Sequence, residues 1–104
     1  MNKLIRDGQV AVIYSSDYGA GWSTWSPNYP ELAFDAGIAQ LIEEQKFDQL
    51  ETYLALKYPD THRDRGTLES LRIEWLSEGT EFIITDYDGN ETIMIKDDII
   101  WMKA

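Results

Sequence analysis

Short alternations of apolar and polar residues open the chain. Residues 3–15 read as two strands folded about Asp7-Gly8, a pair that supplies the positive φ of a tight hairpin turn. In the second strand Val10 and Val12 share one face and Ala11 and Ile13 the other. Both faces are apolar, the mark of a strand near the centre of its sheet. All periodicity then stops. Residues 16–30 hold Gly19, Gly21, Pro27 and Pro30 together with the aromatics Tyr18, Trp22, Trp25 and Tyr29. A structureless loop of this length is uncommon in a small domain unless it serves a function.

Helical spacing takes over after Pro30. Residues 31–34 fit a single turn, and Asp35 suits the N-cap of a helix through Ala36, Ile38, Ala39, Leu41 and Ile42 to about residue 45. A second helix over residues 47–58 sets Phe47, Leu50, Leu54 and Tyr58 three and four apart, the spacing of a buried stripe, and Pro59 stops it. Residues 60–67 read as a polar loop, with Lys57, His62, Arg63 and Arg65 concentrating positive charge there. The rest is β-rich. Leu71, Ile73 and Trp75 alternate with Arg72 and Glu74, and Ser77-Glu78-Gly79 turns the chain into a strand over residues 82–84. Asp88-Gly89 with Asn90 forms a hairpin turn, residues 92–95 return, and Ile99, Ile100 and Trp101 make a short last strand. The order β-β, long loop, α-α, then three or four strands predicts one α+β domain over residues 1–104. Its sheet is mostly antiparallel, with two helices covering one face.

Composition narrows the function. The 104 residues are 43% apolar and 27% charged, a profile that supports a single packed core. The absence of Cys excludes disulfides, thiolate metal sites and a Cys nucleophile. Nine Lys and Arg against nineteen Asp and Glu give a net charge of −10. That charge argues against a direct grip on nucleic-acid phosphates or an anionic membrane. No apolar run approaches the roughly 20 residues of a membrane span, and no signal-peptide core follows the charged start, so a cytoplasmic protein is expected.

Catalytic patterns are missing. His62 is the sole His, no Ser stands in a G-x-S-x-G elbow, and pairs such as Glu43-Glu44 and Asp97-Asp98 are what nineteen acids produce by chance. Asp60-x-His62-x-Asp64 has only a loose metal-ligand spacing, and the run from Asp86 to Glu91 carries its Gly too early for a calcium loop. No catalytic residue, metal or cofactor is assigned. The loop Tyr18-Gly19-Ala20-Gly21-Trp22-Ser23-Thr24-Trp25 is the better candidate for ligand binding. Gly19 and Gly21 free backbone N–H groups, Trp22 and Trp25 offer flat faces for stacking, and Ser23 and Thr24 add hydroxyls. The competing reading of the same residues is structural, both Trp side chains plugging the open end of the sheet. Arg63, Arg65 and Arg72 either answer nearby acids or greet an anion from outside. If the two loops share an edge, they form an aromatic and cationic pocket.

The chain also resembles a family of small phage-encoded proteins. The likeness is carried by Val10-Ala11-Val12, by the loop from Tyr18 to Trp25, by Pro30-Glu31-Leu32-Ala33-Phe34-Asp35 and by Lys57-Tyr58-Pro59. It continues through Ile73-Glu74-Trp75, Glu78-Gly79-Thr80-Glu81-Phe82 and Asp86-Tyr87-Asp88-Gly89-Asn90-Glu91. One departure is His62-Arg63-Asp64-Arg65-Gly66, where Gly- and Ala-like residues are usual. The resemblance implies binding rather than catalysis, in the host-cell cytoplasm and in the service of countering host defence. Two partners follow as expectations. One is a nucleotide-like small molecule sequestered by a homo-oligomer through the Gly-Trp loop and Arg residues. The other is a nucleic-acid-binding host defence protein, blocked by an acidic surface that mimics its target's charge.

Overall fold

The computed structural model describes residues 2–61 and 63–98. Strands β1 (Ile5–Arg6) and β2 (Gln9–Ser15) meet at a turn in which Asp7 and Gly8 both take positive φ, 51° and 77°. Strand β3 (Leu71–Ser77) pairs antiparallel with β2, setting Ala11 opposite Trp75 and Ile13 opposite Ile73, so β2 lies at the centre of a three-stranded sheet. The central position explains why Ala11, Val12 and Ile13 are all fully buried. Strands β4 (Phe82–Tyr87) and β5 (Asn90–Ile95) form a separate antiparallel hairpin about Asp88-Gly89. The expected α+β fold with antiparallel strands holds. The strand expected at residues 99–101 lies outside the described residues.

Helix α1 (Ala36–Glu43) packs on β2 and β3, and α2 (Phe47–Lys57) packs against α1 and shares its core. The core joins Ala11, Ile13 and Leu71 to Ile38, Ala39, Leu50, Leu54 and Tyr58, with Phe47 flanking it, so the stripe read from the sequence is the stripe that is buried. Leu50 and Leu54 are fully buried, each contributing about 1.5–3 kcal/mol by removal from water. One segment departs from its reading. Residues taken as polar loop include a third helix, α3 (Arg65–Ser70), started by the Asp64 carboxylate, which accepts from the Thr67 N–H at 2.9 Å and the Thr67 hydroxyl at 2.8 Å. Leu68 is the residue α3 sends fully into the core, too little apolar signal for a helical period to show. Among the described residues no helix is long and apolar enough to cross a membrane.

Asp35 does more than cap α1. Its carboxylate is 5% exposed and accepts from the Ile38 N–H at 3.1 Å, the Tyr53 hydroxyl at 2.7 Å, the Tyr58 hydroxyl at 2.7 Å and the Lys57 ammonium at 2.8 Å. Two of these donors, Tyr53 and Lys57, come from α2 and a third, Tyr58, from its C-cap, so one carboxylate bolts the two helices together. Burial alone raises its pKa, but the hydrogen bonds from Lys57, Tyr58, Tyr53 and Ile38 outweigh it and hold the carboxyl below the usual range. Burial and then the Asp35 hydrogen bond push the Tyr58 hydroxyl well above its ordinary value. Removing the carboxylate leaves the Tyr58 hydroxyl buried without an acceptor and the helix without a cap. Asp35→Ala is therefore expected to cost about 2–4 kcal/mol in chemical denaturation. The sign with pH follows from a pKa lowered on folding: the contribution is present above the ordinary carboxylate value of 3.8 and is lost as pH falls through the folded value. The stability gap between the wild type and Asp35→Asn should close as pH drops below about 4.

Candidate functional site

An irregular loop has no ladder to satisfy its backbone donors, and those that are buried must find partners elsewhere. In this loop they find Glu91, on β5 and 3% exposed. Its Oε1 accepts from the Ser15 N–H at 2.9 Å. Its Oε2 accepts from the N–H groups of Trp22 at 3.2 Å and Thr24 at 3.0 Å and from the Thr24 hydroxyl at 2.6 Å. The Ser15 hydroxyl donates to the Gly89 carbonyl at 2.7 Å, and the Gly19 N–H donates to the Asp88 carbonyl. Gly89 takes φ +88°, and a Cβ there would lie 2.6 Å from the Ala20 nitrogen and 2.8 Å from the Gly21 nitrogen. The hairpin turn is thus pressed against the loop backbone at a point where only glycine fits. At Gly21 a Cβ would lie 2.0 Å from the Trp25 ring, so that indole rests on the glycine.

This clamp brings Tyr18, Gly19, Gly21, Trp22, Ser23, Thr24 and Trp25 into one assembly but gives the two indoles opposite fates. Trp22 is 1% exposed, its ring in the core and its Nε1–H donating to the Leu32 carbonyl at 2.8 Å. The stacking face expected of Trp22 is therefore turned inward, as the structural reading of the loop had it. Trp25 is 38% exposed and donates from Nε1 to Asp86 at 3.1 Å. Tyr18 is exposed and meets Tyr87 edge-on at 6.2 Å between ring centres. Beside the short helical turn of Ser23–Trp25 opens a cleft of about 580 Å³, lined by Ser23, Thr24, Phe34, Thr80, Phe82 and Ile84 among others. Phe34 and Phe82 stand edge to face there at 5.9 Å, and the Lys3 ammonium lies 4.5 Å over the Phe34 ring.

The arginines gather elsewhere. Arg63 donates to the Pro59 carbonyl, Arg65 bonds Asp48 and Glu69 at 2.8 Å each, and Arg72 donates to the carbonyls of Glu69 and Leu71 at 2.8 and 2.9 Å. The two loops touch where the Tyr29 hydroxyl reaches Asp60 at 3.4 Å, and Ser16 bonds the Ser70 carbonyl at the end of α3. The guanidiniums nevertheless turn to acceptors between residues 48 and 71, not to the Trp loop. The expected aromatic and cationic pocket therefore does not assemble from these residues. The nearer answer to their charge is the chain's own acids and carbonyls.

Two anchoring groups, Glu91 and the Tyr53-Lys57-Tyr58 set around Asp35, escape the sequence reading. Glu91 had a signal: it falls in phase with Ile93 and Ile95, the inward positions of β5. Trp22→Ala is expected to cost about 3–5 kcal/mol and to remove the native melting transition at physiological temperature. Glu91→Gln, which keeps the shape but turns an N–H donor toward N–H donors, should cost about 1–3 kcal/mol, and Glu91→Ala more, with loss of near-ultraviolet dichroism from the tryptophans. Comparison with known protein families, curated proteins and solved structures returns no match.

Proposed function

We propose that this is a small phage-encoded binding protein that counters host defence by sequestering a nucleotide-like molecule, with the cleft beside the clamped loop as its binding place. The single observation that carries the reading is that cleft. It is a shallow, open cleft of about 580 Å³, lined by the phenyl rings of Phe34 and Phe82, the apolar Pro30, Ala33 and Ile84, the hydroxyls of Ser23, Thr24 and Thr80, and Glu81, so a flat heterocycle would find apolar and hydroxyl partners there. The nucleobase would meet Phe34 and Phe82, and the Ser23 hydroxyl at the rim would meet the sugar. Lys3, whose ammonium sits over the Phe34 ring, is the cation placed to face a phosphate. Arg63, Arg65 and Arg72 take no part in this version of the site.

Calorimetric titration with nucleosides and nucleotides tests it. Phe82→Ala should weaken binding of both by about 10-fold, the size of one lost aromatic contact, while Lys3→Ala should weaken nucleotides alone. No heat with any of them at about 1 mM, where a dissociation constant in the millimolar range would still register, overturns the reading.

One observation favours a second reading, an acidic interaction protein that occupies a nucleic-acid-binding surface. Among the described residues every Lys and Arg is engaged within the protein. Arg6 pairs with Glu43, Lys46 with Glu44, Lys57 with Asp35, Arg65 with Asp48 and Glu69, and Lys96 with Glu81. Arg63 and Arg72 hold carbonyls, and Lys3 a ring face. The surplus of acids therefore projects a negative field without a free cation among those residues to offset it. On this reading, a complex with a DNA-binding host protein should weaken by about 10-fold or more between low and physiological salt and be displaced by duplex DNA.

A further inference from the structure

Strand β3 ends the three-stranded sheet, and among the described residues no strand pairs with its outer side. The ladder with β2 fixes which backbone groups face that side. Its register continues past both ends of β3, where the Ser16 N–H donates to the Ser70 carbonyl at 3.0 Å and the Glu78 N–H to the Gly8 carbonyl at 2.9 Å. Hydrogen-bonded pairs recur at every second residue of an antiparallel ladder. Arg72, Glu74 and Leu76 therefore bond β2, while Leu71, Ile73, Trp75 and Ser77 turn their N–H and C=O groups outward. The ends of this row are already served. The Leu71 N–H bonds the Leu68 carbonyl, the Leu71 carbonyl accepts from Arg72 at 2.9 Å, and the Ser77 carbonyl accepts from the Thr80 N–H at 3.1 Å. Between them, the N–H and C=O of Ile73 and Trp75 and the N–H of Ser77 meet no hydrogen-bonding partner among the described residues. Edges are commonly blunted by Pro, Lys or a bulge, and β3 has none of these along its unbroken pairing with β2.

We infer that this edge is where an extended segment of a partner protein docks, antiparallel to β3, with an apolar-basic-apolar run at its centre. The backbone selects the form of the occupant, because a row of alternating donors and acceptors is what an extended chain matches. Side chains select its sequence. Ile73 and Trp75 are half-buried and pack against the core, so the two residues bonded to them lie along an apolar surface and are apolar in turn. The residue between those two stands opposite Glu74 in a non-hydrogen-bonded pair, where Cα atoms approach to about 4.5 Å. Glu74 is exposed and makes no ion pair among the described residues, so its complement is Lys or Arg. The net charge of −10 favours the same sign. A second copy pairing β3 with β3 about Glu74 would instead set acid on acid. With so few contacts the isolated segment binds with a dissociation constant on the order of 0.1 mM.

The nucleotide cleft contains no residue of β3, so the inference does not rest on that reading. The probe is a capped peptide of about seven residues, threonine throughout except for a central Val-Lys-Val. Residue-resolved amide hydrogen exchange of the full chain, with the peptide at about 1 mM, reads docking at each backbone group. In the free chain the Ile73, Trp75 and Ser77 amides should exchange at least about 10-fold faster than those of Arg72, Glu74 and Leu76. The peptide should slow those three by about 10-fold, the ratio its concentration bears to the expected constant. N-methylation of both valines removes the N–H groups that face β3 and should abolish the effect, whereas N-methylation of the lysine, on the far side, should leave it. Glu74→Lys, at an exposed position, should weaken this peptide by about 5-fold and favour a copy with Glu in place of the lysine. Any other pattern among these peptides, slowing confined to other amides, or no slowing at about 1 mM overturns the inference. So does a free chain whose Ile73 and Trp75 amides are already protected, whether the protection grows with protein concentration, as cover by a second copy would, or does not.

Discussion

A carboxylate taken out of water must be met by donors, and in this protein the Glu91 carboxylate is met by donors from two separate segments, residue 15 at the end of the central strand and residues 22 and 24 in the long loop. That requirement joins three parts that local structure alone would leave independent. The loop has no periodicity to fold it, and the β4–β5 hairpin has only two strands. Once Glu91 is seated, the loop backbone is held within contact of Gly89, the Trp22 ring is delivered to the core beside Leu32, and the Ser23–Trp25 turn is set at the rim of the cleft. The position of the proposed binding site is in this sense a consequence of satisfying one buried charge.

The same physics works at the other end of the molecule. Asp35 is buried with four donors around it, two from α2 and one from its C-cap Tyr58, so the helix pair is tied by a polar lock as well as by the Leu50 and Leu54 packing. Such a centre contributes little if any partner is missing, because the remaining groups are then buried unpaired. Among the described residues no buried side-chain polar atom lacks a partner. The cations are spent in similar ways, five of them in ion pairs with the chain's own carboxylates. What remains outward is a surface on which acids outnumber cations.

Much of the fold was legible before any coordinates because it rests on local rules. The Asp7-Gly8 turn, the apolar centre of β2, the cap at Asp35, the stripe of Phe47, Leu50, Leu54 and Tyr58 and the stop at Pro59 each follow from backbone sterics or from a side-chain period. Helix α3 was missed because it is short and sends chiefly Leu68 into the core, so its Asp64 cap looked like one more polar loop residue. The candidate site was legible only in part. The loop from Tyr18 to Trp25 stood out by composition, yet its role divided between two tryptophans three residues apart, and the arginines expected beside it found acceptors around α3.

The sequence by itself determined the described strands and the helices α1 and α2, their order, the acidic balance and the glycines that a tight turn requires, because each depends on neighbours within a few residues or on a sum over the chain. Only the tertiary structure decided that Trp22 is core while Trp25 is rim, and that Glu91 is an anchor among nineteen acids. Those properties depend on which distant groups arrive at hydrogen-bonding distance. Glu91 meets donors 67 to 76 positions away, a separation at which no periodicity along the chain reports the encounter.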